Sequence, residues 1–209
     1  GYRDAFFLEE FDFEALLSFG KPYRMVDPGF AIKQFPSQYP SHFAITAALD
    51  SQKKISDASE IESVEIVGPA MNYVNRPSPG TGIEGKFSFQ YVAAAALLDG
   101  EIIIDTFTNE RLQKSDIQKL LGKITFVQSK DIPIGMDKMH VEITVTLKNG
   151  DSIRDRCDGP KDFWGAPKLT KEEHLKKIRG CLRSQLDESA SERLIALCDS
   201  LENLSSDEM

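Results

Sequence analysis

The residues with the greatest capacity for chemistry are concentrated in one short segment, 31–42. They supply a cation, hydroxyl groups, an amide and an imidazole: Lys33, Ser37, Gln38, Tyr39, Ser41 and His42. The apolar pattern of residues 43–49 predicts that a helix begins directly after them, with Ser41 as its N-cap. Because the first turn of a helix has free N–H groups that favour an anion, we expect this segment to bind a carboxylate.

His42 and Lys33 are the candidates for proton transfer and anion binding. His42 is predicted to lie one turn inside the helix, where the helix dipole lowers the pKa of an imidazole and favours a neutral donor or acceptor. The alternative is that the ring only packs or helps to cap the helix. Lys33 is predicted to lie late in a short strand over residues 30–35. A free lysine titrates near about 10.4, so Lys33 would bind an anion rather than take a proton, unless it is simply an edge-strand lysine in water.

Lys86 is a second candidate cation, predicted to stand at the start of a nearly all-apolar helix over residues 86–99. A lysine is unfavourable at a helix N-terminus unless an anion lies near it. Glu84 and a bound substrate are equally good candidates for that anion. The sequence therefore leaves a salt bridge and a substrate contact both open.

The elements that must position these residues are helices and antiparallel strands. Alternating or apolar patterns predict strands over residues 61–67, 124–127, 141–147 and 152–156. Asn149-Gly150 predicts that the last two strands form a hairpin. Ser115 and Thr170 open capping-box patterns for helices over 115–122 and 170–182, and a last helix is predicted over 189–204. Because the predicted strands and helices do not alternate as they do in βαβ units, the pattern indicates an α+β fold with an antiparallel sheet and packed helices.

The composition narrows the possible partners and compartments. A net charge of −8 over 209 residues, without a dense basic stripe, argues against nucleic acid. Cys157, Cys181 and Cys198 have neither the number nor the spacing of a disulfide framework or a zinc site, so we expect no metal and a reducing cytoplasm. No apolar run approaches the roughly 18 residues that span a bilayer, so no membrane partner is expected. Nucleotide-binding, zinc-protease and α/β-hydrolase motifs do not occur in the sequence.

Two longer motifs give the chain a family resemblance. Lys33-Gln34-Phe35-Pro36-Ser37 with His42, and the run from Gly82 through Lys86-Phe87-Ser88 to Gly100, resemble the MmgE/PrpD family. This family includes 2-methylcitrate dehydratase, cis-aconitate decarboxylase and iminodisuccinate epimerase. The resemblance implies chemistry without cofactor or metal on small di- and tricarboxylates, by proton removal next to a carboxylate or by loss of CO₂.

The resemblance also implies a domain organisation. The chain matches only the second half of the family, and it opens on Gly1 rather than Met, so we expect a fragment. Residues 1–168 would form an α+β, lid-like domain. Residues 169–209 would form C-terminal helices that pack on an absent N-terminal helical domain, and the full-length protein is expected to be a homodimer.

By the same resemblance, Lys33 and His42 are assigned as catalytic, and Ser37, Gln38 and Lys86 as substrate-binding. Gln38 stands where cis-aconitate decarboxylases carry a histidine and other members often a cysteine. An amide cannot act as an acid or base as a histidine does, which argues against decarboxylation and leaves the substrate open. The leading hypothesis is a lyase or isomerase, 2-methylcitrate dehydratase-like, that is inactive as this fragment. The alternative is a non-catalytic binding or assembly module in which Lys33 and His42 are structural.

Overall fold

The computed structural model describes residues 14, 17–18, 20–27, 29–163, 166–203 and 205. The chain divides into two compact units, residues 1–32 and 33–209. In the first unit, described residues 20–27 form turns in which the Tyr23 carbonyl accepts from the amides of Val26 and Asp27. The second unit contains the sheet and the helices that surround it.

The predicted strand over residues 30–35 is wrong. Described residues 29–40 contain no strand, and the chain bends at 34–37. The Ser37 amide donates to the Phe35 carbonyl at 2.9 Å, and Lys33 Nζ donates to the Ser37 carbonyl at 3.0 Å. These contacts curl the segment into a loop, since no neighbouring strand satisfies its backbone groups.

The helices and strands of the second unit do not follow a regular alternation along the chain. Its α-helices are α1 (Ser41–Gln52), α2 (Gly82–Gly85), α3 (Phe89–Asp99), α4 (Asn109–Leu112), α5 (Ser115–Leu121), α6 (Lys171–Leu182) and α7 (Glu188–Asp199). Its strands are β1 (Ile61–Pro69), β2 (Ile124–Ser129), β3 (Val141–Leu147) and β4 (Ser152–Cys157). Short 3₁₀ turns occur at Ala58–Glu60, Asn72–Val74, Ile104–Phe107 and Leu201–Asn203.

The four strands form one sheet in the order β2-β1-β3-β4. β1 pairs antiparallel with β3, and β3 pairs antiparallel with β4, but β1 and β2 are parallel. The α+β prediction is therefore confirmed, while the sheet is mixed rather than wholly antiparallel. The reason is the long connection through α2 to α5, which carries the chain back to the end of the sheet where β1 began.

The predicted hairpin is confirmed. β3 alternates as expected, with Val141, Ile143 and Val145 buried. Gly150 has a φ of 90°, a conformation that suits glycine, and its amide donates to the Leu147 carbonyl. β4 therefore pairs antiparallel with β3, with Thr146 opposite Ser152.

The core lies between the sheet and α1 and α3. α1 packs against α3 and against β3 and β4. Every residue of α3 from Phe89 to Leu97 is buried, as its apolar sequence predicted. The helix begins three residues later than predicted, because the Ser88 hydroxyl accepts from the Tyr91 amide at 2.9 Å and donates to the Arg76 carbonyl at 2.6 Å. Lys86 consequently caps the C-terminus of α2 instead of starting α3.

The two C-terminal helices lie in the same compact unit as the sheet. The capping box of α6 is confirmed, since Thr170 and Glu173 each accept from the other's amide. Arg183 pairs with Asp105 at 2.9 Å, and Ser191 is the single buried residue of α6 and α7. The predicted division at residue 168 stays a prediction. Among the described residues, no helix is long and apolar enough to cross a bilayer.

Candidate functional site

Four of the five predicted site residues line one cleft. The cleft has a volume of about 430 Å³ and is formed by the loop before α1, the end of α2, residues 102–104 and α6. Lys33, Ser37, Gln38 and Lys86 are among its lining residues, and His42 is not. The structure thus brings together side chains that are far apart in the sequence.

A chain of hydrogen bonds joins the two lysine-bearing segments. Gln38 Nε2 donates to Ser41 Oγ at 3.0 Å, and Ser41 Oγ donates to the Lys86 carbonyl at 3.2 Å. The backbone N–H of Gln38 also donates to the Lys86 carbonyl, at 3.4 Å. These bonds tie the loop before α1 to the end of α2, so that Lys33 and Lys86 face the same cleft.

The prediction that Ser41 caps α1 is wrong. Pro40 occupies the cap position, and no side chain caps the helix there. Ser41 is the first helical residue, and it is completely buried because its hydroxyl serves the connection to Lys86. The backbone N–H groups of His42 and Phe43 donate to the carbonyls of Tyr39 and Pro40, and no residue of the first turn of α1 lines the cleft.

The two predicted lysines are held by different contacts. Lys33 is exposed, donates to the Ser37 carbonyl and lies over the Tyr39 ring at 5.2 Å. Lys86 is half-buried and lies 5.5 Å from the centre of the Phe107 ring. The alternative of a Lys86–Glu84 salt bridge is wrong, since the described part of the chain shows none and Glu84 Oε2 accepts from the Gly80 amide. Each cation can therefore pair with an external anion.

His42 lies next to the cleft but is covered. Its side chain is 1% exposed, and its ring packs against the rings of Phe35 at 5.2 Å and Tyr39 at 5.3 Å. Burial, and then the charge of Lys33, lowers the pKa of His42 from 6.5 to about 4, while hydrogen bonds to the backbone of Phe35 and Ser37 oppose this change. The lowered direction agrees with the prediction, but burial is the largest cause rather than the helix dipole. The ring is neutral at neutral pH.

Two buried polar atoms beside the cleft have no hydrogen-bond partner within the described residues. They are His42 Nε2 and the hydroxyl of Tyr39. Burial, with a contribution from the nearby charge of Asp162, raises the pKa of Tyr39. Asp162 is itself buried in a left-handed conformation with φ 60°. Leaving a buried polar group unpaired costs about 1–3 kcal/mol, so this wall of the site is less stable than a fully bonded one.

Sequence reasoning missed the wall of the cleft that α6 provides. Lys177, Gly180 and Cys181 line it, and they share a helix face because they are three or four residues apart. That spacing was visible in the sequence, but nothing there indicated which loop the face would meet.

All the charged side chains that line the cleft are positive. Three of its lining residues are lysines, Lys33, Lys86 and Lys177, and none of its lining residues is acidic. In the part of the chain that the structure describes, none of the three forms an ion pair. The same part of the chain contains no cluster of three or more side chains suited to hold a metal ion. The arrangement is suited to bind a small, multiply charged anion.

Comparison with known proteins relates the chain to one family. The model of the MmgE/PrpD C-terminal domain matches residues 35–203. Cis-aconitate decarboxylase from Mus musculus is 32% identical over 181 residues, which cover 83% of this chain and 37% of that protein. The Homo sapiens cis-aconitate decarboxylase is 32% identical over 180 residues, with the same coverage. The cis-aconitate decarboxylase-like protein oryM of Aspergillus oryzae (strain ATCC 42149 / RIB 40) is 25% identical over 164 residues, 78% of this chain and 33% of its own. The chain thus spans 33–37% of the length of these relatives.

Proposed function

The chain belongs to the MmgE/PrpD family, and we propose that it forms the C-terminal part of a lyase that acts on a small di- or tricarboxylate. The observation that carries this proposal is the cleft lined by three lysines and by no acidic residue. Such a cleft attracts carboxylates. A lysine next to a bound carboxylate stabilises the negative charge that develops when the neighbouring C–H bond loses its proton. No metal or cofactor is part of the proposed reaction.

The proposed roles follow from the contacts of each side chain. Lys33 and Lys86 bind carboxylates of the substrate, and Ser37 and Gln38 add hydrogen bonds from the loop that ends at α1. His42 is neutral, which suits a proton acceptor, but its ring is covered by Phe35 and Tyr39. It acts on the substrate only if that cover opens, so the remaining acid and base are expected in the part of the relatives that this chain does not span.

Decarboxylation of cis-aconitate is the second candidate. It is supported by two relatives at 32% identity that carry this name. Against it, Gln38 stands where the resemblance places a histidine in decarboxylases, and its amide is bonded to Ser41. An amide side chain cannot act as a general acid or base as a histidine can, so dehydration of a substrate like 2-methylcitrate remains the first candidate. An isomerase role rests on the resemblance alone.

The direct experiment compares the 209-residue chain with a longer form that also carries the N-terminal helical domain implied by the resemblance. Each is assayed with 2-methylcitrate and with cis-aconitate. The proposal expects turnover of one acid by the longer form and none by the chain alone. Turnover by the 209-residue chain alone would show that its site is complete, which contradicts the proposed division of catalytic groups.

Lys33→Ala in the longer form separates this proposal from the non-catalytic alternative, a binding or assembly module. Lys33 is exposed and makes one hydrogen bond, so the proposal expects loss of activity with a small change in stability. If the chain is instead a non-catalytic module in which Lys33 is structural, Lys33→Ala should lower the stability of the protein. Lys130→Ala is the control, because Lys130 is also exposed but does not line the cleft.

The C-terminal helices supply a face for the proposed helical domain. Ile178, Leu194, Leu197 and Leu201 are exposed on or just after α6 and α7. Apolar side chains at these spacings are the pattern of a helix pair that packs on other helices. Packing on that domain and a homodimer of the full-length protein remain proposals from the resemblance, and a cytoplasmic location remains a proposal from the cysteine pattern.

A further inference from the structure

Helix α6 is held against the cleft at Gly180. A Cβ atom added to Gly180 would lie 3.9 Å from Cγ2 of Ile103, so the helix backbone runs close to the segment 102–104. Ion pairs from Lys161 to Glu173 and from Arg183 to Asp105 connect this helix to the rest of the unit. No residue of α6 is buried, but Lys177 and Gly180 on this face line the cleft.

Lys177 and Lys176 are adjacent but have different surroundings. Lys177 is half-buried and lines the cleft that contains Lys33 and Lys86. Lys176 is exposed and lines the groove between α6 and α7, where Glu101, Glu173 and other acidic residues offset its charge. The charge of Lys177 also reaches the His42 ring and helps to lower its pKa. Lys177 also lines a smaller pocket with Glu101 and Glu173, but among the described residues it forms no ion pair, and it adds a third positive charge to the cleft.

We propose that Lys177 determines specificity in this cleft by binding the third carboxylate of a tricarboxylate. The inference rests on the proposed function, since it assumes that Lys33 and Lys86 bind the first two carboxylates. A dicarboxylate would leave one lysine without a partner, whereas a tricarboxylate matches all three. The volume of about 430 Å³ lies within the range of about 300–1,000 Å³ typical of small-molecule sites.

The test measures binding by calorimetry at constant ionic strength. The ligands are propane-1,2,3-tricarboxylate and glutarate, which differ only in the central carboxylate. Lys177→Met keeps most of the apolar stem and removes the charge, and Lys176→Met makes the same change at a neighbouring residue that does not line the cleft. We expect Lys177→Met to weaken binding of the tricarboxylate about tenfold and of glutarate less than twofold, since one charge pair of this kind is worth about one decade. Lys176→Met should change neither.

Each other outcome overturns a defined part of the reasoning. Equal losses for both ligands, or equal effects of the two methionine variants, would show that Lys177 acts only through the overall charge. If Lys33→Ala abolishes binding while Lys177→Met leaves the ratio of the two affinities unchanged, the inference fails and the proposed site stands. If Lys177→Met weakens binding of the tricarboxylate but Lys33→Ala does not, the proposed role of Lys33 in the site fails. Lys177 then remains a residue that binds a carboxylate. Absence of binding of both acids to the wild-type chain overturns both. Thermal unfolding of each variant confirms that its fold is intact.

Discussion

The buried His42 ring should make the stability of this protein depend on pH in a specific range. Burial and the Lys33 charge lower its pKa from 6.5 to about 4 in the folded state. Between these pH values the unfolded chain binds a proton that the folded chain does not, so the free energy of unfolding falls as the pH falls. The full difference corresponds to about 3 kcal/mol, of which linkage places about 2 kcal/mol between about pH 7 and about pH 5.

The measurement is urea unfolding followed by circular dichroism at both pH values, for the wild type and His42→Gln. Carboxylates also titrate in this range, but they contribute equally to both proteins and cancel in the comparison. The wild type should lose about 2 kcal/mol more than His42→Gln on acidification. The control is Phe43→Leu, which alters a fully buried neighbour without removing a titratable group. It should be less stable at both pH values and keep the pH dependence of the wild type.

Equal pH dependence in the wild type and His42→Gln would refute the reasoning, because it would mean that the ring is protonated as easily in the folded state as in the unfolded one. A flattened profile in Phe43→Leu would show that general loss of stability, rather than the imidazole, determines the slope. The expected result would also establish that the proposed site contains a neutral histidine at neutral pH.

The remaining predictions concern the contacts that place the site. Gly82→Ala should destabilise the protein severely, by more than about 3 kcal/mol or to the point of insolubility, since the new Cβ would lie 2.0 Å from the Phe107 carbonyl oxygen. Gly122→Ala is its control and should change the unfolding free energy by less than about 1 kcal/mol, because the nearest atom lies at 3.6 Å. Ser88→Ala should cost about 1–3 kcal/mol in urea unfolding, since it removes the cap of α3 and the hydrogen bond to the Arg76 carbonyl. An unchanged midpoint would contradict this role. Thr170→Ala should cost about 1 kcal/mol and lower helicity in the α6 region, as measured by hydrogen exchange, whereas unchanged exchange there would show that the capping box is unimportant.

The sequence predicted the elements that depend on neighbouring residues. The alternation of residues 141–147 and the Asn149-Gly150 turn specified β3 and its hairpin with β4, because side-chain period and turn type are local properties. Thr170 and Glu173 specified the start of α6 for the same reason. The strand predicted over 30–35 failed because a strand needs a partner, and no pattern within those residues could show that none is adjacent.

The sequence by itself determined which polar and charged residues were candidates: Lys33, Ser37, Gln38 and Lys86, which line the cleft, were all selected from residue type and motif. Only the tertiary structure decided that Lys177 joins them and that the His42 ring is covered and neutral. The physical reason is that charge state and proximity depend on packing between distant segments, here on the bond from Ser41 to the Lys86 carbonyl and on the position of α6. Desolvation and long-range contacts are properties of the packed molecule, and a pattern of neighbouring residues in the sequence does not predict them.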